Sequence, residues 1–377
     1  MWRVLLPVFA LSGCDVVFHI DAIQEGSGGG IPDAPIPTDG VAACSLVGKY
    51  GAGSAGLMRY CVHTDSTPLE LGGAFDTTAN QMCDYSASAG ADMNPVCVVS
   101  ARTIAVTTGL VVTGDKPLVL AALDTITIAA AVDLTGGPGE DPSACTLAGA
   151  GDGGASNSSG SAGGGGGGGG GGWQTKGGKG GLGKVGTAAL GGGTTPTVVD
   201  IRGGCRGGTG GAGSTGFGGN GGTGGGAIYL TARTAIHISS AGSINASGRG
   251  GQGGAVSDGG AGGGGSGGLI AFDSPTVTFD TIDAPGAMVF ANGGGGGAGG
   301  NAVGGAISMT AGIGATGGIP NGGTGAMANG PGGIGGAGST NGGGGGGGGQ
   351  GFIVVFSPMN QVVSDPSHIS PPMIIGT

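Results

Sequence analysis

Few side chains in this sequence could do chemistry. Across 377 residues there are seven cysteines and four histidines, and 22 Asp and Glu face 12 Lys and Arg. Cys14 stands apart because it closes Leu11-Ser12-Gly13-Cys14 behind the apolar run Val4 to Ala10, with Arg3 in front. A short positive start followed by an apolar stretch too brief to span a bilayer reads as an export signal. The remaining six cysteines are Cys44, Cys61, Cys83, Cys97, Cys145 and Cys205. An even number in an exported chain points to disulfides, although six thiols allow fifteen pairings. Pairing of sequence neighbours would give Cys44 with Cys61, Cys83 with Cys97, and Cys145 with Cys205. No C-x-x-C pair occurs, and His19, His63, His237 and His368 lie far from the cysteines in sequence. Neither a metal nor a cofactor is therefore expected.

The other chemical motifs are weak. Glycine fingerprints are meaningless where 104 residues are Gly, and no P-loop is complete, since Trp173 stands where its first Gly belongs. Asp124, Asp133, Asp273, Asp280 and Asp283 fall near expected chain corners, with Arg102 and Arg233 at matching positions. Two carboxylates about 5–9 Å apart could perform glycoside chemistry. Yet no acidic residue recurs on one face, and corners favour Asp for turn geometry. His237 alternates with Ile236 and Ile238, which points it outward. A non-catalytic protein is the leading expectation, with a polysaccharide-active β-helix enzyme (lyase or glycosidase) as the alternative.

The elements that would position these residues show in a repeat. Val98, Ile104, Val106, Leu110 and Val112 recur 22 residues later as Leu120, Ile126, Ile128, Val132 and Leu134. Ile228, Leu230, Ile236, Ile238, Ile244 and Ala246 form a further copy, Ile270, Phe272, Val277, Phe279, Val289 and Ala291 another, and Val354, Phe356 and Val362 a degenerate last one. Apolar-x-apolar doublets are strand signals, and three short strands per unit predict an all-β, parallel β-helix-like solenoid. Residues 98–377 would form its rungs, with long glycine-rich excursions of polyproline II or coil at 137–226, 249–268 and 293–351. Ahead of them, 44–97 reads as a cysteine-rich N-terminal cap and 15–43, rich in Gly and Pro, as a flexible tether. The excursions have two readings, loose loops or polyproline II segments packed side by side. Pieces such as Gly207-Gly208-Thr209-Gly210-Gly211-Ala212 suit the second.

Composition bounds the partners. A net charge of −10 with no Lys/Arg stripe argues against nucleic acid. Gly is not at every third position throughout and Pro numbers only 18, which excludes a collagen triple helix. Charged residues make up 9% of the chain and mean hydropathy is +0.25, unlike a disordered polyelectrolyte.

Leu11-Ser12-Gly13-Cys14 resembles the lipobox of bacterial lipoproteins. The resemblance implies a signal peptide at 1–13, cleavage before Cys14, a diacylglycerol on its thiol and an acylated amine. The membrane would then be the first partner, at the outer membrane or cell surface, with the inner membrane left open. Together with the rung Pro117 to Ile128 and the glycine excursions bounded by cysteines, the chain resembles uncharacterised glycine-rich lipoproteins of myxobacterial type. That group has no activity to transfer. It supports an expectation of a lipid-anchored envelope or surface protein with a structural, adhesive or interaction role, contacting surface polysaccharide, matrix or other envelope proteins.

Overall fold

The computed structural model describes residues 44–47, 60–63, 67–85, 88–89, 94–135, 137, 145, 150–156, 163–184, 188–195, 197–198, 200–255, 258–280, 287–300, 304–305, 320–326, 330–338, 341–357, 362–363 and 368–376. The named elements are all strands, and most of them lie in two parallel sheets.

The six-stranded sheet runs, in spatial order, Ile374–Gly376, Phe352–Phe356, Leu269–Asp273, Ala227–Ala232, Leu118–Ala122 and Cys97–Ala101. Its four middle strands are buried at every position, as expected of a parallel sheet covered on both faces. Alternate side chains serve different cores. Leu118, Leu120, Ile228, Leu230, Ile270, Phe272, Ile353 and Val355 face one cluster. Val119, Ala121, Tyr229, Ala271, Phe352 and Val354 face another, completed by Trp173 and Ile201.

The second sheet has ten strands. Thr125–Ile128, Ala235–Ile238 and Val277–Phe279 lie in register, so that Ile126 pairs with Ile236 and Ile236 with Val277. These strands bury every second residue and turn the others, His237 among them, outward. Their inward residues meet the first cluster, where Phe272 and Phe279 pack edge to face at 5.3 Å. Each fully buried aliphatic or aromatic side chain there contributes about 1.5–3 kcal/mol.

The expected closed parallel β-helix is corrected here. Ile104–Thr113 is one continuous ten-residue strand. Its first half pairs with Thr125–Ile128 and its second with Ala131–Asp133, so two of the three doublet columns join in one sheet. Three of the returns from the second column to the six-stranded sheet run through glycine-rich segments, at 134–226, 246–268 and 291–351, whereas those from Ile104–Thr113 to Leu118–Ala122 and from Ile369–Ser370 to Ile374–Gly376 are short. With the chain leaving for these segments on three of its circuits, the strands are grouped in two separate parallel sheets rather than in a closed solenoid.

Leu69–Asp76, from the region read as a cap, is part of the ten-stranded sheet through parallel pairing with Ile104–Thr113. Its register shifts between Leu71 and Gly73, where Gly73 adopts φ +77°, a conformation that glycine reaches without strain. Residues 77–85 cover the free edge of Cys97–Ala101. Asp84 and Val98 exchange backbone hydrogen bonds, which shields an edge that could otherwise template another strand.

Candidate functional site

The glycine-rich segments are ordered where they are described, and their order follows from the geometry of polyproline II. That helix has three residues per turn and no internal hydrogen bonds. Successive N–H groups therefore point about a third of a turn apart, and each needs a different neighbour. Segment 163–172 meets this condition. Gly165, Gly168 and Gly171 donate to Asp258, Ala261 and Gly264; Gly166 and Gly169 donate to Ala155 and Asp152; Gly167 and Gly170 donate to Gly181 and Gly178. Its own carbonyls accept from Gly208 and Gly211, from Gly343, Gly346 and Gly349, and from Gly192. One chain thus has six hydrogen-bonded neighbours.

Segments 258–268 and 341–351 are surrounded in the same way, and these three inner segments bond to one another. Nine others enclose them: 150–156, 177–184, 188–193, 203–213, 217–226, 246–255, 291–300, 320–326 and 330–338. Position in the bundle explains composition. An inner chain has neighbours on all sides, and a Cβ on Gly167, Gly168 or Gly169 would meet backbone oxygens of Gly344, Gly208 and Leu190 at 2.0, 2.1 and 2.0 Å. A peripheral chain has one free side, so every third residue carries a side chain. Gly207 and Gly208 face backbone at 2.2 and 1.9 Å, whereas Thr209 is exposed.

These outward residues are sorted by face. Segment 177–184 lies between 188–193 and 330–338, since Gly177 and Gly180 donate to Gly192 and Ala189, while Gly332, Gly335 and Gly338 donate to Lys176, Lys179 and Leu182. All three lie on one side of the row formed by 163–172 and 341–351, and they make a flat layer. It displays Lys176 and Lys179 with Leu182, Leu190 and Ile334, exposed by 43%, 55% and 71%. A second layer, formed by 150–156, 203–213 and 217–226, displays Asp152, Arg206, Thr209 and Asn220, with Phe217, exposed by 81%, at the start of its last segment. One face is apolar and basic; the other is of mixed charge and polar but for Phe217.

The bundle is tied to the sheets at a few points. Cys145 is bonded to Cys205, and the guanidinium of Arg202 approaches both sulfurs. Arg202 also stacks on Trp173, 4.4 Å from the ring centroid, and Trp173 meets Phe352 edge to face at 5.1 Å. Asp258, buried, accepts hydrogen bonds from Ser214 Oγ, Thr215 N and Thr215 Oγ1 and so fixes the turn between two segments. The Ser214 hydroxyl, helped by Thr215 and outweighing burial, holds its carboxyl below the usual carboxylate range.

No protein-family model, curated protein or solved structure matches the chain.

The residues singled out from sequence are dispersed. Cys14 and Asp283 lie outside the described residues, and of Cys44 only the strand Cys44–Val47 is described. Cys61 is disulfide-bonded and Cys83 is bonded to Cys97. Such bonds belong to an oxidising compartment, which marks the protein as exported. Among the described residues no helix is long and apolar enough to cross a membrane, and no cluster of metal-ligating side chains occurs. Asp273 is buried in the six-stranded sheet, where its carboxylate accepts a hydrogen bond from the Tyr229 hydroxyl. Asp280 follows a strand of the other sheet and pairs with His237 at 2.9 Å on an exposed face, an arrangement worth little energetically. Asp133 accepts from Thr135 N in a turn. Arg102 and Arg233 donate backbone N–H groups at the sheet corners. The two faces of the bundle were not read from sequence, although the phase of the Gly-Gly-x triplets carried the signal.

Proposed function

We propose that this is a lipid-anchored, non-catalytic protein of the cell envelope or surface, a rigid scaffold for interaction. The observation that carries the reading is the glycine bundle. Twelve described segments spend their backbone hydrogen bonds on one another and leave only every third peripheral residue free to face outward. Such a body is a display surface, and its side chains differ from face to face. Anchoring rests on the likeness of Leu11-Ser12-Gly13-Cys14 to a lipobox. Two acyl chains would hold the protein stably where one would not. Contacts with surface polysaccharide, matrix or other envelope proteins fit a low-charge exterior.

Growth of the producing cells with a radioactive fatty acid tests the anchor. The native chain should take up label, and Cys14→Ala should take up none and remain unprocessed. Label retained by the variant would refute anchoring at Cys14. Deletion of the gene should weaken surface attachment or cell–cell cohesion; unchanged attachment, cohesion and envelope integrity would count against the scaffold role.

A further inference from the structure

We infer that the flat layer built by segments 188–193, 177–184 and 330–338 docks on an anionic lipid surface. This deepens the reading of a lipid-anchored protein and rests on it for the nearness of a bilayer. The chain as a whole carries a net charge of −10, and an anionic surface repels it. Segments 177–184 and 330–338 contain no Asp or Glu, and the exposed lysines are Lys179 in the first of them and Lys176 just before it. Leu182 on the same segment, and Leu190 and Ile334 on the segments to either side, are exposed by 43%, 55% and 71%. Ammonium groups interleaved with aliphatic side chains suit the boundary of a bilayer, where the former meet headgroup phosphates and the latter enter the acyl region.

Two features favour a membrane over a second copy of the chain. Three chains about 5 Å apart, of six to nine residues rising about 3.1 Å per residue, give a layer of roughly 360 Å². A stable dimer buries about 800 Å² per partner. A weak contact suffices, however, for a body already tethered to the same bilayer, because tethering raises the effective concentration of the face over the lipid. The layer of 150–156, 203–213 and 217–226 has a single large apolar side chain outside, Phe217, and no lysine. Docking would therefore fix which way the molecule stands, with the polar layer left for other partners.

The chain from residue 14 onward carrying Cys14→Ala, which lacks both the acyl chains and the apolar run Val4 to Ala10, isolates the face from the anchor. Its binding is measured by co-sedimentation with vesicles of phosphatidylglycerol mixed with phosphatidylcholine, and with vesicles of phosphatidylcholine alone. The expected result is preferential binding to the anionic vesicles, weakened by added salt. Lys176→Glu combined with Lys179→Glu should reduce that binding about thirtyfold or more, each lysine near an anionic surface being worth about fivefold. Ile334→Asn should reduce it by a similar order while leaving the thermal midpoint unchanged, as befits an outward side chain. Equal binding to both vesicle types, or full retention by the folded variants, would overturn the proposal. So would a dimer, seen by light scattering, that Ile334→Asn dissociates. Failure of fatty-acid labelling with anionic binding intact would instead remove the anchor and leave the face.

Discussion

Gly168 and Gly208 lie so close that a methyl group on Gly168 would sit 2.1 Å from the Gly208 carbonyl oxygen. The N–H of Gly208 donates to the next carbonyl of the same run, that of Gly169, at 2.7 Å. The contact is backbone to backbone, so no rotamer change relieves it. Gly168→Ala should cost about 3 kcal/mol or more, at the upper end of overpacking penalties. Thr209→Ala, one residue past Gly208 but pointing to solvent, should stay within about 0.5 kcal/mol. Denaturant unfolding of the two variants gives the comparison, and similar midpoints would argue against close packing at the bundle centre.

The same contrast explains what the sequence could reveal. Ile126, Ile236 and Val277 were aligned by the repeat and do lie side by side, because alternation of apolar side chains is a local signal of which way a strand faces. Closure of a coil is not local. Nothing in Ile104 to Thr113 announces that one strand will serve two columns, and the expected β-helix failed there. The bundle was harder still. In Gly163 to Gly172 no side chain exists to mark a face, so the run gives no hint of six neighbours. At the periphery Lys179 and Leu182 do mark one, three residues apart, and Gly-Gly-x in phase can be read as a chain with a single free side. Which peripheral chains adjoin is fixed by contacts distant in sequence, and the apolar basic layer became visible only in three dimensions.

The Cys145–Cys205 bond closes a loop with a sequence separation of 60, and within that loop lie the inner segment 163–172 and both 177–184 and 188–193. Cross-linking a loop of this size restricts the unfolded chain by roughly 4 kcal/mol on the chain-entropy account. The double variant Cys145→Ser with Cys205→Ser should lose stability of that order in denaturant titrations. A change below about 1 kcal/mol would mean that the bundle holds together without its covalent tie.

Tyr60 donates its hydroxyl hydrogen bond to Asp84 Oδ2 on the strip that covers the edge of Cys97–Ala101. Burial first, and then the neighbouring carboxylate, push its pKa up to about 12. The unfolded tyrosine titrates near 10, so the folded state favours the neutral phenol. The resulting stability is complete below about pH 10 and is lost as pH rises towards 12. Tyr60→Phe should therefore be less stable than the native chain at pH 8, and the difference should shrink across that alkaline window. Unfolding curves at pH 8 and pH 11.5 measure it; a difference that does not change with pH would remove the phenol from the account.

Asp258 works in the opposite direction. Its carboxyl is held below the usual carboxylate range, chiefly by the Ser214 hydroxyl, and its backbone carbonyl accepts from Gly165 of the inner run at 2.9 Å. The ionised form is therefore favoured by folding. Its contribution is present above the unfolded value near 4 and disappears as pH falls through the lower folded value. Asp258→Asn keeps the size of the side chain but loses the charge that gathers Ser214 and Thr215 into the turn, so at pH 7 it should unfold earlier than the native chain. Below about pH 4 the native carboxyl takes up its proton and the two curves should converge. Thermal unfolding followed from pH 7 down to pH 2 tests this. If the gap between the two chains stays constant as the carboxyl protonates, the turn is held by backbone packing alone, and the link from Asp258 to the inner glycine run carries no charge-dependent stability.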